Sequence, residues 1–216
     1  MGTDFFFNDS EPRGGLKGYP MTRVTKPYLQ DWLKRHDEIK AKVNSLIMSQ
    51  LNVMEINGRN LVVSDVIVRY VLKTLQRDIE QLDSQGCEAF EILGREVKVR
   101  GEFCGQKFKG FIDRLDSFRE GQVRVVDYKT GKVLEDDENI NDGNAEAVAD
   151  MIFTPDMKNW PKIALQFYIY DMLLMSRSEF HGKDLCNCVY STARLFKEAP
   201  VTFPLNVKFY EAVSER

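Results

Sequence analysis

Gly110-Phe111-Ile112-Asp113-Arg114-Leu115-Asp116 is followed, after one turn, by Val123-Arg124-Val125-Val126-Asp127-Tyr128-Lys129-Thr130-Gly131-Lys132. In both stretches apolar, strand-favouring residues run directly up to an acid, and Glu120-Gly121-Gln122 between them is turn chemistry. Lys107–Asp113 and Val123–Lys129 therefore read as neighbouring strands with Asp113 and Asp127 at their ends. Side chains alternate along a strand, so Lys129 falls on the same face as Asp127. Gly131 breaks the strand just beyond, leaving Asp113, Asp127 and Lys129 at a sheet edge that a substrate can reach.

Two carboxylates and an ammonium on one face suit phosphodiester hydrolysis. Carboxylate oxygens are hard ligands for Mg²⁺ or Mn²⁺. The metal stabilises charge on the phosphate, and the ammonium positions or activates the attacking water. Glu96, on the preceding strand, could add a ligand or hold Lys129. The same residues also read as ordinary ion pairs, Asp113 with Arg114 and Asp127 with Lys129.

Upstream, Arg95–Phe103 alternates charged and apolar residues, with Val97 and Val99 on one face, and Cys104-Gly105-Gln106 turns it into the Lys107–Asp113 strand. Before that, Ser64 reads as the N-cap of a helix whose stripe is Ile67, Val71, Leu75 and Ile79. Thr25-Lys26-Pro27 opens an earlier helical pattern running from Trp32 to Leu51, and residues 1–26 read as an irregular lead-in. Downstream, residues 133–160 read as an acidic loop with one short helix near Ala145–Ile152. Ile163–Met175 is an apolar helix, and Cys188–Phe196 and Val201–Phe209 are expected strands. The expectation is an α/β (α+β) fold in α-β-β-β-α-β order, residues 1–59 forming the lead-in and an accessory helix and residues 60–216 the main domain.

Composition removes several alternatives. Cys87, Cys104, Cys186 and Cys188 form no CxxC pair, and they read as reduced thiols of a cytoplasmic protein. His36 and His181 are too scattered for a zinc site or a Ser-His-Asp triad. No run approaches the roughly 18 apolar residues of a membrane span, and no signal peptide is recognisable. The net charge of −3 conceals an uneven distribution. Residues 95–132 carry ten Lys/Arg against six Asp/Glu, whereas 135–156 carry eight acids and no base. That pattern suits a polyanion groove beside a repelling flap, and equally two solvated surfaces.

Taken in order, Gly110–Asp116, Val126–Lys132 and Gln166-x-x-x-Tyr170 resemble the G-x-I-D-R-x-D, D-Y-K-T/S-G and Q-x-x-x-Y motifs of the RecB/AddB-like branch of the PD-(D/E)xK nuclease superfamily. The resemblance covers roughly residues 60–200. It implies a restriction-endonuclease-like core in which Asp113, Asp127 and the backbone carbonyl of Tyr128 bind metal and Lys129 is catalytic. It also implies that Gln166 and Tyr170 hold the site and contact DNA. On their own, these two side chains at i, i+4 read as a core-edge contact. Lys132, and after it Arg95 and Lys109, are candidates for phosphate contacts, while Arg114 and Asp116 support the turn.

Two departures qualify the resemblance. The branch often carries a metal-site histidine on the helix preceding the sheet, and Ser64–Leu82 has none, so a segment further upstream in a longer parent protein would have to supply it. Some AddB-type domains hold an iron–sulfur cluster on four cysteines, three of them near the C-terminus; the four here do not reproduce that spacing, and no cluster is expected. No Walker A motif is present, so the motor of a helicase–nuclease would be a partner subunit or the rest of the parent. The leading expectation is thus a DNA exonuclease module of a double-strand break repair machine, and the irregular start favours a fragment. A stand-alone phage- or plasmid-type exonuclease and a catalytically silent module for DNA binding or subunit docking are the alternatives.

Overall fold

The computed structural model describes residues 21–103, 105–131, 133–134, 138–154, 160–204 and 206–216. Strand β1 (Thr22–Thr25) leads into helices α1 (Lys26–Trp32), α2 (His36–Leu51) and α3 (Arg59–Ser84). Strands β2 (Ala89–Phe103), β3 (Gln106–Ser117) and β4 (Gln122–Lys129) follow, then helices α4 (Ala145–Phe153) and α5 (Lys162–Met175). Strands β5 (Asp184–Ser191) and β6 (Thr202–Phe203) and helix α6 (Val207–Ser214) complete the order. The six strands form one sheet in sequence order, antiparallel at every step except β4–β5, which is parallel. A parallel step needs a crossover, and α4 and α5 provide it. The result is the mixed, helix-flanked sheet of a restriction-endonuclease-like fold.

Each sheet face has its own core. Val97, Val99, Ile112, Leu115, Val125 and Val189 pack under α5, where Ala164, Phe167 and Leu174 are fully buried. On the other face Phe90 and Ile92 meet α1, α2 and α3 through Leu29, Ile39, Leu75 and Leu82. Burying each such side chain is worth about 1.5–3 kcal/mol. Among the described residues no helix is long and apolar enough to cross a membrane.

Several local expectations are corrected. Ser64 does not cap a helix: α3 starts at Arg59, and the buried Ser64 hydroxyl donates to the Asn44 side chain of α2, a tertiary contact that overrides its capping preference. The Trp32–Leu51 pattern is interrupted at Leu33–Arg35, where the Lys34 and Arg35 amides turn back to Asp31 and Trp32. Thr22–Thr25, expected within the irregular lead-in, pairs with Ala89–Ile92. Val201–Phe209 gives only a two-residue strand, because Pro204 intervenes and the Asn206 side chain caps α6 by accepting from Phe209 N at 3.3 Å. Strand β5 ends at Ser191, where the Arg194 and Leu195 amides fold back onto its carbonyl.

Candidate active site

The site forms where the sheet comes apart. Strands β3 and β4 pair only at Arg114↔Val126, Leu115↔Val125 and Asp116↔Arg124. The next position, Asp113 opposite Asp127, lies outside the ladder, and Asp113 Oδ2 instead accepts a hydrogen bond from Tyr128 N at 2.8 Å. Across β3, Glu96 falls between the pairs Arg95↔Arg114 and Val97↔Ile112 and has φ +48°. For a non-glycine residue this left-handed backbone costs on the order of 1–3 kcal/mol, and such strain concentrates at functional sites. Ile112 belongs to the core under α5, yet Arg114 joins a network under α3. Residues two apart on a regular strand share a face, so β3 turns over at Asp113. The strand also continues through Arg114 and Asp116 to Ser117 instead of ending at Asp113, because these two charges are buried and paired.

Gln166 on α5 ties the neighbouring side chains together. Its Nε2 donates to Asp127 Oδ1 at 3.0 Å and to the Tyr170 hydroxyl at 2.9 Å. Its Oε1 accepts from Lys129 Nζ at 2.7 Å. Three of the amide's four hydrogen-bonding positions are used, both N–H donors among them, so Lys129 and Asp127 are held in one arrangement. The Tyr170 hydroxyl donates in turn to the Phe111 carbonyl at 2.7 Å. Gly110 makes that approach possible: a Cβ there would lie 2.9 Å from Tyr170 Cε1.

Burial raises the Asp113 carboxyl above the usual carboxylate range; the charges of Asp127 and Glu96 push it the same way, against the Tyr128 amide and Lys129. Lys129 Nζ stands 2.8 Å from Asp127 Oδ2 as an ion pair. That oxygen is buried and accepts no hydrogen bond among the described residues, its contact being the ion pair with Lys129. Crowded carboxylates and a buried carboxylate oxygen held only by the Lys129 ion pair fit a hard divalent cation, which would complete its shell with water. Among the described residues, however, no three His, Cys, Asp or Glu side chains are grouped to hold a metal by themselves.

Beneath the site, on the α3 face, lies a buried lattice of charges. The Arg114 guanidinium is bidentate on Asp78 of α3 at 2.9 and 3.0 Å, and its Nε donates to Asp116 at 2.6 Å. Arg124 grips Asp116 with a second fork at 2.7 and 2.9 Å and also donates to Gln81. The Tyr128 hydroxyl accepts from Arg114 at 3.0 Å, and the Tyr190 hydroxyl donates to Asp78. Such forks are among the strongest hydrogen-bonded pairs, and they fix the strands carrying Asp113 and Asp127 relative to α3.

The structure thus brings Asp113, Asp127, Lys129, Gln166 and Tyr170 together. Glu96 is exposed and lies within range of Asp113, with no ion pair to Lys129. Lys132 and Cys104 lie outside the described residues. Asp113 and Arg114 do not pair, since Arg114 is fully committed to Asp78 and Asp116. Asp78, Gln81 and Tyr190 escaped the sequence reading; the one available signal was a polar Asp78/Gln81 pair, three apart, interrupting the apolar stripe of α3. Cys186 and Cys188 share a buried face beside Arg124, and burial pushes the Cys186 thiol up to about 12.

Curated proteins provide no match to the chain. Its sequence does match the family model of the PD-(D/E)XK nuclease superfamily over residues 24–187, a span that holds Asp113, Asp127, Lys129, Gln166 and Tyr170. With the mixed sheet and the parted β3–β4 ladder, a match over most of the chain's length establishes that this protein belongs to the PD-(D/E)XK nuclease superfamily.

Proposed function

We propose that the chain is a Mg²⁺- or Mn²⁺-dependent deoxyribonuclease of the RecB/AddB-like branch, acting as the exonuclease module of a helicase–nuclease in double-strand break repair. The single observation behind this proposal is the Gln166-centred network, which holds Lys129 against Asp127 beside Asp113 where the ladder opens. The order of the G-x-I-D-R-x-D, D-Y-K-T-G and Q-x-x-x-Y motifs supports the branch.

In this proposal Asp113, Asp127 and the Tyr128 carbonyl would hold the cation, with the Glu96 carboxylate of β2 available beside Asp113. The cation supplies Lewis-acid stabilisation of the charge that builds on the scissile phosphate. Lys129 orients the attacking water with its ammonium and offsets the same charge, and Gln166 fixes where that ammonium stands. Tyr170, bonded to the Phe111 carbonyl, keeps Gln166 in place. Lys132 would contact a phosphate. A cytoplasmic setting and a motor supplied by a partner or by more of the parent protein complete the proposal.

One observation favours a second reading, a nuclease fold kept for DNA binding or subunit docking. Neither the metal-site histidine of the branch nor any cluster of three metal-ligating side chains is found among the described residues. The deciding experiment incubates the protein with linear single- and double-stranded DNA in Mg²⁺ or Mn²⁺, beside Asp113→Ala and Lys129→Ala. Cleavage by the wild type alone supports the enzyme. Cleavage that survives both substitutions sinks the site, and none by any version favours the docking module.

A further inference from the structure

Beyond the point where β3 and β4 part, strands β2 and β3 continue as a two-stranded arm. One face of the arm is core: Val97↔Ile112 and Val99↔Gly110 lie under α5. The other face presents the cross-strand pairs Lys98↔Phe111, Arg100↔Lys109 and Glu102↔Lys107, all six residues being exposed. Four cations stand there against one anion, and same-face positions recur about every 7 Å along each strand. Phe111 is 56% exposed at the end of the arm next to Asp113, and its carbonyl is held by Tyr170. A single exposed phenylalanine is ordinary on a protein surface. One set among cations, two residues from the carboxylate at the break in the sheet and on a backbone pinned to the Gln166 network, has the makings of a stacking platform.

We propose that this arm is a track for single-stranded DNA, on which the cations follow the phosphates and Phe111 stacks against an unpaired base immediately before the strand reaches Asp113. The charge pattern selects a polyanion, and the phenyl ring selects a single strand, because a duplex hides the π-faces of its bases. The proposal deepens the nuclease reading and makes Phe111 a determinant of the single-strand preference of that site.

Binding can be measured apart from cleavage, by fluorescence anisotropy of labelled oligothymidylate with the full chain in EDTA. Phe111→Ala is expected to weaken binding about ten- to a hundredfold, as loss of one base–aromatic stack does. An abasic strand of the same length carries the phosphates without the bases, and its affinity should be indifferent to Phe111→Ala. Arg100→Ala and Lys109→Ala should weaken both strands and each lower the salt dependence of binding by about 0.7 on a log–log plot. Thermal melting of the variants should match the wild type, since these side chains are exposed.

The track is overturned if Phe111→Ala binds oligothymidylate as the wild type does, or if the variant loses the abasic strand equally. It is also overturned if the wild type cleaves DNA while all three variants bind normally. Should the wild type show no cleavage yet bind single strands with this Phe111 dependence, the track stands and the nuclease reading falls.

Discussion

Lys129 Nζ lies 2.7 Å from Gln166 Oε1 and 2.8 Å from Asp127 Oδ2, but only the contact with Gln166 has the alignment of a hydrogen bond. The ammonium is therefore aimed by an uncharged side chain while its charge serves the carboxylate. Replacing Gln166 by leucine removes the aiming and leaves the charges in place. The expected outcome is a loss of about 10²-fold in kcat with KM nearly unchanged, as when one preorganised hydrogen bond to a reacting group is lost. A steady-state split between kcat and KM checks it, and a pure KM effect would put Gln166 in substrate binding alone.

Cation binding should register in stability as well as activity. A ligand that binds only the folded state at about a hundred times its Kd adds roughly 2.7 kcal/mol. Titrating Mg²⁺ or Mn²⁺ should raise the melting temperature of the wild type, and Asp113→Asn should abolish the rise. An equal rise in both proteins would place the cation elsewhere.

Asp116 carries two guanidinium groups, and its loss should cost more than that of any exposed acid. Burial pushes its carboxyl up, but Arg124 and Arg114 together outweigh this and hold it below the usual carboxylate range. A lowered folded value means stability that is present above the unfolded value of about pH 4 and lost as acid titrates below it. Asp116→Ala leaves both arginines buried without that partner, and a loss of about 3–5 kcal/mol is expected at neutral pH. Urea unfolding measures it; a loss below about 1 kcal/mol would mean the lattice contributes little.

Asp171 on α5 gives the opposite slope. Burial lifts its carboxyl to about 6, despite hydrogen bonds donated by Asn187 and Tyr210, and its Oδ1 has no partner. A raised folded value means stability that is fully present below the unfolded value of about pH 4 and lost as pH rises through about 6. The loss is on the order of 3 kcal/mol. Asp171→Asn should flatten the pH dependence of the urea midpoint over this window. An unchanged slope would assign the effect to another group.

Much of this site could be read from the sequence because its signals are local. Apolar residues leading into Asp113 and Asp127 marked two strands, and period-two alternation put Lys129 beside Asp127. The i, i+4 spacing of Gln166 and Tyr170 placed both on one helix face. What could not be read depends on distant partners. Arg114 and Asp116 looked like turn supports, and Arg124 drew no reading, because the partners Asp78 and Gln81 come from a helix far earlier in the chain. The left-handed backbone of Glu96, across the strand pair from Asp113, has no sequence signal. Ser64 misled for the same reason in reverse, its local capping chemistry yielding to Asn44.

The ladder between β3 and β4, three pairs long, divides the sheet into an antiparallel part and a part built on the parallel β4–β5 step. A β-sheet ordinarily spends its amides on itself and has few to offer a ligand. By giving up pairing beyond Arg114↔Val126, this sheet frees the Tyr128 amide and commits it to Asp113. The polar equipment of the site is thus drawn from the scaffold's own backbone, and its position is inherited from where the weave stops.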